Sequence, residues 1–373
     1  MDRIRAVGDD LSENERRILD VIWRQGPIPR SDIAEQTGLT GASVTRLVRT
    51  LTDRRLVSDT VAREGLRGQP TRPLHVSAEG AHAIGVYFSH RHLEIGLVNL
   101  AGTIVHADAR PIDVAEPETI AAVTRDFVTA ALAATGIARD RVVGVGFALP
   151  GDFTGNAGQV NAHAYFPRLA HRDLRAEFAD ALPYRVFVEN DAASAALGER
   201  VLGVGQQIDS FVFVHIGHGV GGGIVLNGSL YRGMSGNAGM IGIQFPNDRP
   251  RPSGQDLFAH LTAAGVAVTD FPDLERLSLH ECPPLRAWIR RAGGQLREQL
   301  GITARLLDPE AVIVGGRLPL PLLQALVAEI DTPAFCNEGV GLPRPRVIAS
   351  ALGPRAGVVG AASVPIVRTL FEP

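Results

Sequence analysis

Three short stretches of this 373-residue chain hold side chains able to do chemistry. The first is Glu189-Asn190-Asp191, followed by the alanine-rich run 192–196. A carboxylate placed there can take the proton of a hydroxyl as a general base, or accept a hydrogen bond from it. Asn190 or Asp191 can equally cap a helix that begins at Ala192. The second is Gly217-His218-Gly219-Val220-Gly221-Gly222-Gly223, five glycines in seven positions. Such a run lets backbone N–H groups close on an anion, or makes a tight turn between strands. The third is Ala42, Ser43, Thr45, Arg46 and Arg49, a small, polar and basic set at the spacing of one helix face. That mixture suits base edges and phosphates.

Composition removes other chemistries. All 37 basic residues are arginine, so a Schiff-base or P-loop lysine is excluded. The two cysteines, Cys282 and Cys336, stand far apart and in no C-x-x-C spacing, which disfavours a disulfide scaffold or a cysteine-built metal site. No apolar run approaches the ~20 residues of a membrane span. Met1-Asp2-Arg3-Ile4-Arg5 leads into no apolar signal core, which predicts a cytoplasmic protein. Residues 40–76 hold seven arginines against three acidic residues, whereas the chain as a whole has a net charge of -3. A locally basic N-terminal segment on an acidic body points to nucleic acid binding by the first part alone.

The elements that must position the third set are readable. Ser12-Glu13-Asn14-Glu15 is a capping box for a helix on which Ile18, Leu19, Ile22 and Trp23 make one apolar face, and Gly26-Pro27 stops it. A second helix is expected from about Arg30 to Thr37, burying Ile33 and Ala34, and Gly38 permits a tight turn. Thr40 caps a third helix whose Val44, Leu47, Val48 and Leu51 fall inward, leaving Ala42, Ser43, Thr45, Arg46 and Arg49 outside. Short strands at 56–59 and 73–76 flank a basic tip that includes Arg67. This is the pattern of a winged helix-turn-helix on double-stranded DNA.

From about residue 80, apolar strands alternate with helices, which predicts layered α/β lobes. Expected strands lie at 83–88, 93–99, 104–107, 142–148, 184–188, 211–216 and 311–314. Helices are expected at 117–134, near 285–306 and from Ala356. Asn227-Gly228 reads as a type I′ hairpin turn.

Taken together, Glu189-Asn190-Asp191-Ala192-Ala193-Ser194-Ala195-Ala196-Leu197-Gly198-Glu199, the run 217–223 and Asn227-Gly228 resemble the ROK family (repressors, open reading frames and kinases). The resemblance implies an N-terminal winged helix-turn-helix over 1–78 and a two-lobed, actin-like ATPase-fold α/β body. The lobes are expected at 79–200 and 201–354, with a C-terminal helix over 355–373 packing back on the first. It also implies a sugar site between the lobes. Asp191 matches the family's general base, and Asn161 loosely matches a sugar-contacting asparagine; Asn190 and Asp191 are expected at the site, with Gly151 nearby, because they sit where a strand ends and a helix begins.

The departures from the family pattern carry as much information. Where the kinases have a D-I-G-G-T-K type phosphate loop, this chain has Tyr87-Phe88-Ser89-His90-Arg91, too bulky for backbone to wrap phosphate. His218 replaces the threonine of the second loop. Asn237 and Met240 stand where the family has a sugar-contacting glutamate and a histidine that also serves zinc, and the cysteine cluster is gone. The expectation is therefore no enzyme, no catalytic residues, no metal and no cofactor. The chain reads as a DNA-binding regulator, a repressor of carbohydrate-utilisation genes. Its partners would be operator DNA, a sugar or sugar derivative held by Gly151, Asn161, Asn190, Asp191, Asn237 and Met240, and a second copy in a homodimer or dimer of dimers. An active sugar kinase with a fused DNA-binding domain, and a regulator controlled by a protein partner, are the alternatives.

Overall fold

The computed structural model describes residues 3–59, 72–88, 92–112, 115–154, 159–162, 166–336 and 341–372. Its contacts divide into two units: Met1–Leu149, Phe166–Glu189 and Ala361–Pro373 form the first, Pro150–Tyr165 and Asn190–Gly360 the second. This partition differs from the three expected segments. The N-terminal domain clusters with the first α/β segment, and the helix after Asp191 falls in the second unit.

Three helices open the first unit: α1 (Glu13–Gln25), α2 (Arg30–Thr37) and α3 (Gly41–Asp53). The capping box forms, with Glu15 Oε2 accepting from Ser12 N at 2.7 Å and Ser12 Oγ accepting from Glu15 N at 3.4 Å. Ile18, Leu19 and Ile22 of α1 are buried, as are Val44, Leu47, Val48 and Leu51 of α3. Gly38, at φ 67°, turns the chain between α2 and α3 as only a residue without Cβ does comfortably. The second buried residue of α2 is Thr37 rather than the expected Ala34; its hydroxyl is satisfied by donating to the Ile33 carbonyl at 2.6 Å. Strands β1 (Val57–Asp59) and β2 (Leu74–Val76) then pair antiparallel, Val57 opposite Val76.

The body of the first unit is built from β3 (His82–Phe88), β4 (His92–Asn99), β5 (Ile104–Pro111), α4 (Pro117–Thr135) and β6 (Val142–Leu149). After β7 (Gly151–Phe153) and β8 (Val160–Ala162), which belong to the second unit, it resumes with α5 (Leu174–Ala181) and β9 (Val186–Asn190). The sheet order is β5-β4-β3-β6-β9, antiparallel on the β4 side of β3 and parallel on the β6 side. Phe147 of β6 stacks on Phe178 of α5 with ring centroids 4.1 Å apart.

The second unit continues with α6 (Asp191–Leu202), β10 (Phe211–Ile216), β11 (Val220–Leu226), β12 (Ser229–Tyr231), α7 (Gly254–Ala263), α8 (Pro283–Leu307), β13 (Ala311–Gly316), α9 (Leu320–Ile330) and β14 (Arg346–Ala349). Its sheet, β12-β11-β10-β13-β14, repeats the strand order of the first, 3-2-1-4-5 when the strands of each five-stranded sheet are counted along the chain. Asn227 and Gly228 both take positive φ (51° and 76°), the requirement of the type I′ turn joining β11 to β12. Trp288, Leu296 and Leu300 of α8 pack with Val212, Val214, Val312 and Val314 in one apolar core.

The last helix, α10 (Ala356–Ile366), starts in the second unit and continues into the first. In the second unit it lies so close to α6 that a Cβ on Gly360 would sit 2.7 Å from the Ser194 carbonyl oxygen. In the first it ends in a π turn, Val367–Phe371. There Phe371 stacks on Trp23 of α1 at 4.1 Å, and Arg16 donates to the Thr369 carbonyl. Arg141 reaches the Arg54 carbonyl at 2.7 Å, and Arg185 pairs with Asp9 at 3.2 Å. The N-terminal helices are thereby bound to the body of the first unit. No helix among the described residues is long and apolar enough to cross a membrane.

Candidate nucleic-acid interface and ligand site

Helix α3 is amphipathic in the way a groove-entering helix must be. Thr40 caps it, accepting from Ser43 N at 3.3 Å. With its apolar stripe buried, Ala42, Thr45, Arg46 and Arg49 are exposed and Ser43 is half-buried. The Thr45 hydroxyl donates to the Gly41 carbonyl at 2.8 Å, so its oxygen remains able to accept. A concavity of about 640 Å³ runs along this face, lined by Arg30, Ala42, Thr45, Arg46 and Arg49 among others.

The guanidiniums of Arg30, Arg46 and Arg49 have no hydrogen-bonding or ionic partner among the described residues, whereas those of Arg17, Arg24 and Arg54 nearby are each tied down. Three guanidiniums without an ion-pair partner line this concave face together with the carboxylate of Asp53, and they offer donors of the kind that phosphate and guanine accept from. Sequence reasoning did not single out Arg30. Its position at the start of α2, the helix that packs beside α3, is the signal that would have found it. In the wing, Arg72 lies 3.8 Å from Asp59. Arg67 and the rest of the tip, 60–71, lie outside the described residues.

The second site is built where β9 runs into α6. Asn190 is the cap: its Oδ1 accepts from Ala192 N at 3.0 Å and Ala193 N at 3.1 Å, and its Nδ2 donates to the Gly151 carbonyl at 2.9 Å. Asp191 is the first residue of the helix, with Oδ1 accepting from Ala192 N at 2.8 Å. Burial pushes its carboxyl up to about 6, and the negative charge of Asp152 adds to the push. Asn237 bonds the backbone of β7 with both ends of its amide, accepting from Phe153 N at 2.7 Å and donating to Phe153 O at 2.8 Å.

Gly151, Asn190, Asp191 and Asn237 are therefore joined around β7 and the α6 N-terminus, and the amides of Asn190 and Asn237 are committed to backbone. Asn161, exposed on β8, stands opposite Asp152. Met240 is half-buried three residues beyond Asn237. In this set Asp191 is the group best placed to receive a hydroxyl.

The glycine run is closed by its own surroundings. The Gly217 carbonyl accepts from Gly254 N at 2.8 Å and the His218 carbonyl from Gln255 N at 3.0 Å, so the first N–H groups of α7 are used. The His218 ring sits edge-on to Phe258 (5.8 Å) and Phe271 (5.4 Å), with Asp270 3.9 Å away. Tyr87 is buried on β3. Ser89, His90 and Arg91 lie outside the described residues.

Comparison with known proteins places these sites in context. A model described as the ROK family matches residues 83–254, and one described as winged helix-turn-helix DNA-binding matches residues 11–58. The chain is 39% identical over 363 residues to the protein y4fQ of Sinorhizobium fredii, spanning 97% of this chain and 93% of that one. It is 26% identical over 372 residues to the N-acetylglucosamine repressor of Escherichia coli O6:H1, spanning 92% and 90%. A crystal structure of a ROK family transcriptional regulator, a homolog of the E. coli MLC protein, superposes with a TM-score of 0.72 at 25% identity, covering 96% of both chains.

Proposed function

This chain belongs to the ROK family, and from that premise we propose that it is a cytoplasmic repressor of carbohydrate-utilisation genes, released from its operator by a neutral sugar or sugar derivative. The observation that carries the DNA-binding half is the exposed face of α3, where the guanidiniums of Arg30, Arg46 and Arg49 stand without partners on a winged helix-turn-helix. One such module reads too few base pairs for useful specificity, so two copies act as a pair on adjacent half-sites.

The effector half rests on Asp191. A carboxylate held in a partly buried place at a strand end, with Asn190 and Asn237 fixing the backbone around it, suits a sugar hydroxyl. Met240 adds an apolar surface, favouring an acetyl or deoxy substituent; the N-acetylglucosamine repressor among the relatives agrees with that class of ligand. Phosphoryl transfer is disfavoured because His218 and its aromatic neighbours occupy the second loop and Tyr87 replaces the first loop's aspartate. Zinc is disfavoured because Met240 replaces a ligand and cysteines are absent from 236–257. Helix α10 offers the route for the signal, since its start packs on the helix that Asp191 begins and its end packs on α1.

The test is a thermal-shift screen of neutral sugars followed by operator release. A sugar that stabilises the wild type and releases DNA, but does neither in Asp191→Ala with sugar-free DNA affinity unchanged, supports the reading. A response in Asp191→Ala equal to wild type makes Asp191 a structural residue and removes the site.

A further inference from the structure

Helix α3 opens on small side chains. Gly41, Ala42 and Thr45 precede Arg46 and Arg49 on its exposed face, and a Cβ placed on Gly41 would meet nothing within 4 Å. A recognition helix meets base edges with its N-terminal residues. Side chains this short let the backbone come close to the floor of the groove. Thr40 holds that turn in place, accepting from Ser43 N at 3.3 Å and donating to Ser43 Oγ at 3.0 Å.

What Ala42 and Thr45 can offer a base is narrow. Thr45 spends its hydroxyl hydrogen on the Gly41 carbonyl at 2.8 Å, which leaves an acceptor and a methyl group. Ala42 offers a methyl group alone. Neither can donate to guanine N7 or O6, to adenine N7 or to thymine O4. Arg46 and Arg49 supply donors and no acceptor. The face is therefore divided, with methyl groups first and guanidiniums after them.

In the major groove only an A·T pair presents a methyl group, on thymine C5, and it adds the adenine N6 amino group as a donor. Those two features match the methyl group and the acceptor of Thr45. A G·C pair presents acceptors to an arginine but no methyl group. Ala42 and Thr45, three residues apart on one face, have Cβ atoms about 5–6 Å apart. Base pairs rise about 3.4 Å, so the two side chains meet neighbouring or next-neighbouring pairs.

We infer that Ala42 and Thr45 read thymine through its C5 methyl group, beside the bases that Arg46 and Arg49 read. The inference rests on the DNA-binding reading above and names what the first part of the helix selects. The contact is neutral, so it adds discrimination without adding to the salt dependence that the arginines set.

The experiment is fluorescence anisotropy of the full chain on the duplex it selects from a random-sequence pool. Each thymine of a half-site is replaced in turn by deoxyuridine, which removes the methyl group and keeps the base pair. Wild type, Thr45→Ser and Ala42→Gly are compared; serine keeps the hydroxyl that bonds Gly41. At one thymine or two the replacement should weaken wild-type binding about fourfold, the worth of one buried methyl group. At one of them Thr45→Ser should bind both duplexes equally, with its salt slope unchanged. Thr45 is exposed, so circular dichroism of Thr45→Ser should coincide with that of wild type. Wild-type binding indifferent to every replacement overturns the methyl reading and leaves DNA binding standing. So do variants that are both as sensitive as wild type at each thymine. A wild type that selects no duplex overturns both.

Discussion

Replacing Asp191 by Asn should stabilise the ligand-free protein at neutral pH. The carboxyl titrates near 3.8 in the unfolded chain and is pushed up to about 6 by burial in the folded one. Below about pH 4 it is protonated in both states and costs nothing. Between about 4 and 6 the unfolded chain releases its proton first, so stability falls; above about 6 the full penalty is present. At about 1.4 kcal/mol per pH unit the shift sets a ceiling of about 3 kcal/mol. Part of the side chain remains accessible, so a gain of about 1–2 kcal/mol is expected. Asn keeps an acceptor for Ala192 N and removes the charge, so it isolates this effect. Urea denaturation of wild type and variant from pH 4 to pH 8 measures it. The difference should grow as pH rises through the window and level off. A variant less stable than wild type at pH 8, or a difference independent of pH, would refute the reasoning that this carboxylate is held at a cost to stability.

Other perturbations separate the remaining parts of the account. Arg46→Ala or Arg49→Ala should weaken operator binding by about 1–3 kcal/mol where that arginine reads a guanine, measured by fluorescence anisotropy; an Arg30→Ala variant should mainly lower the slope of affinity against salt. Phe371→Ala should destabilise the seat of α1 by about 3 kcal/mol through loss of a buried ring stacked on Trp23, read as faster amide exchange in α1; unchanged exchange would remove the C-terminal π turn from the coupling route. Purified protein should neither phosphorylate hexoses with ATP nor contain stoichiometric zinc, and turnover abolished by Asp191→Ala, or zinc by elemental analysis, would contradict that.

Local signals carried most of the fold. Ser12 and Glu15 announce α1, Gly38 and Thr40 bracket the turn into α3, and Asn227-Gly228 dictates its hairpin, because each acts on residues within a few positions of itself. The partners of Asn237 were not legible: its amide meets the Phe153 backbone 84 residues away, a pairing no local pattern encodes. The same holds for Phe371 on Trp23, which ties the two ends of the chain together. The strand leading to Asp191 runs Val186–Asn190 rather than 184–188, since Glu189 is buried and continues the strand to the cap. Residue type pointed to Asp191 as an acceptor; that Asn190 and Asn237 serve the backbone emerges only from the folded geometry.

The most direct test of the central claim is selection of DNA from a random-sequence pool by the full-length protein, repeated with Arg46→Ala and Arg49→Ala. The account predicts that wild type enriches an inverted repeat whose half-sites are about one helical turn, or a whole number of turns, apart, and that at least one variant loses the repeat. Failure of wild type to enrich any sequence, or enrichment of the same repeat undiminished by both variants, would contradict it.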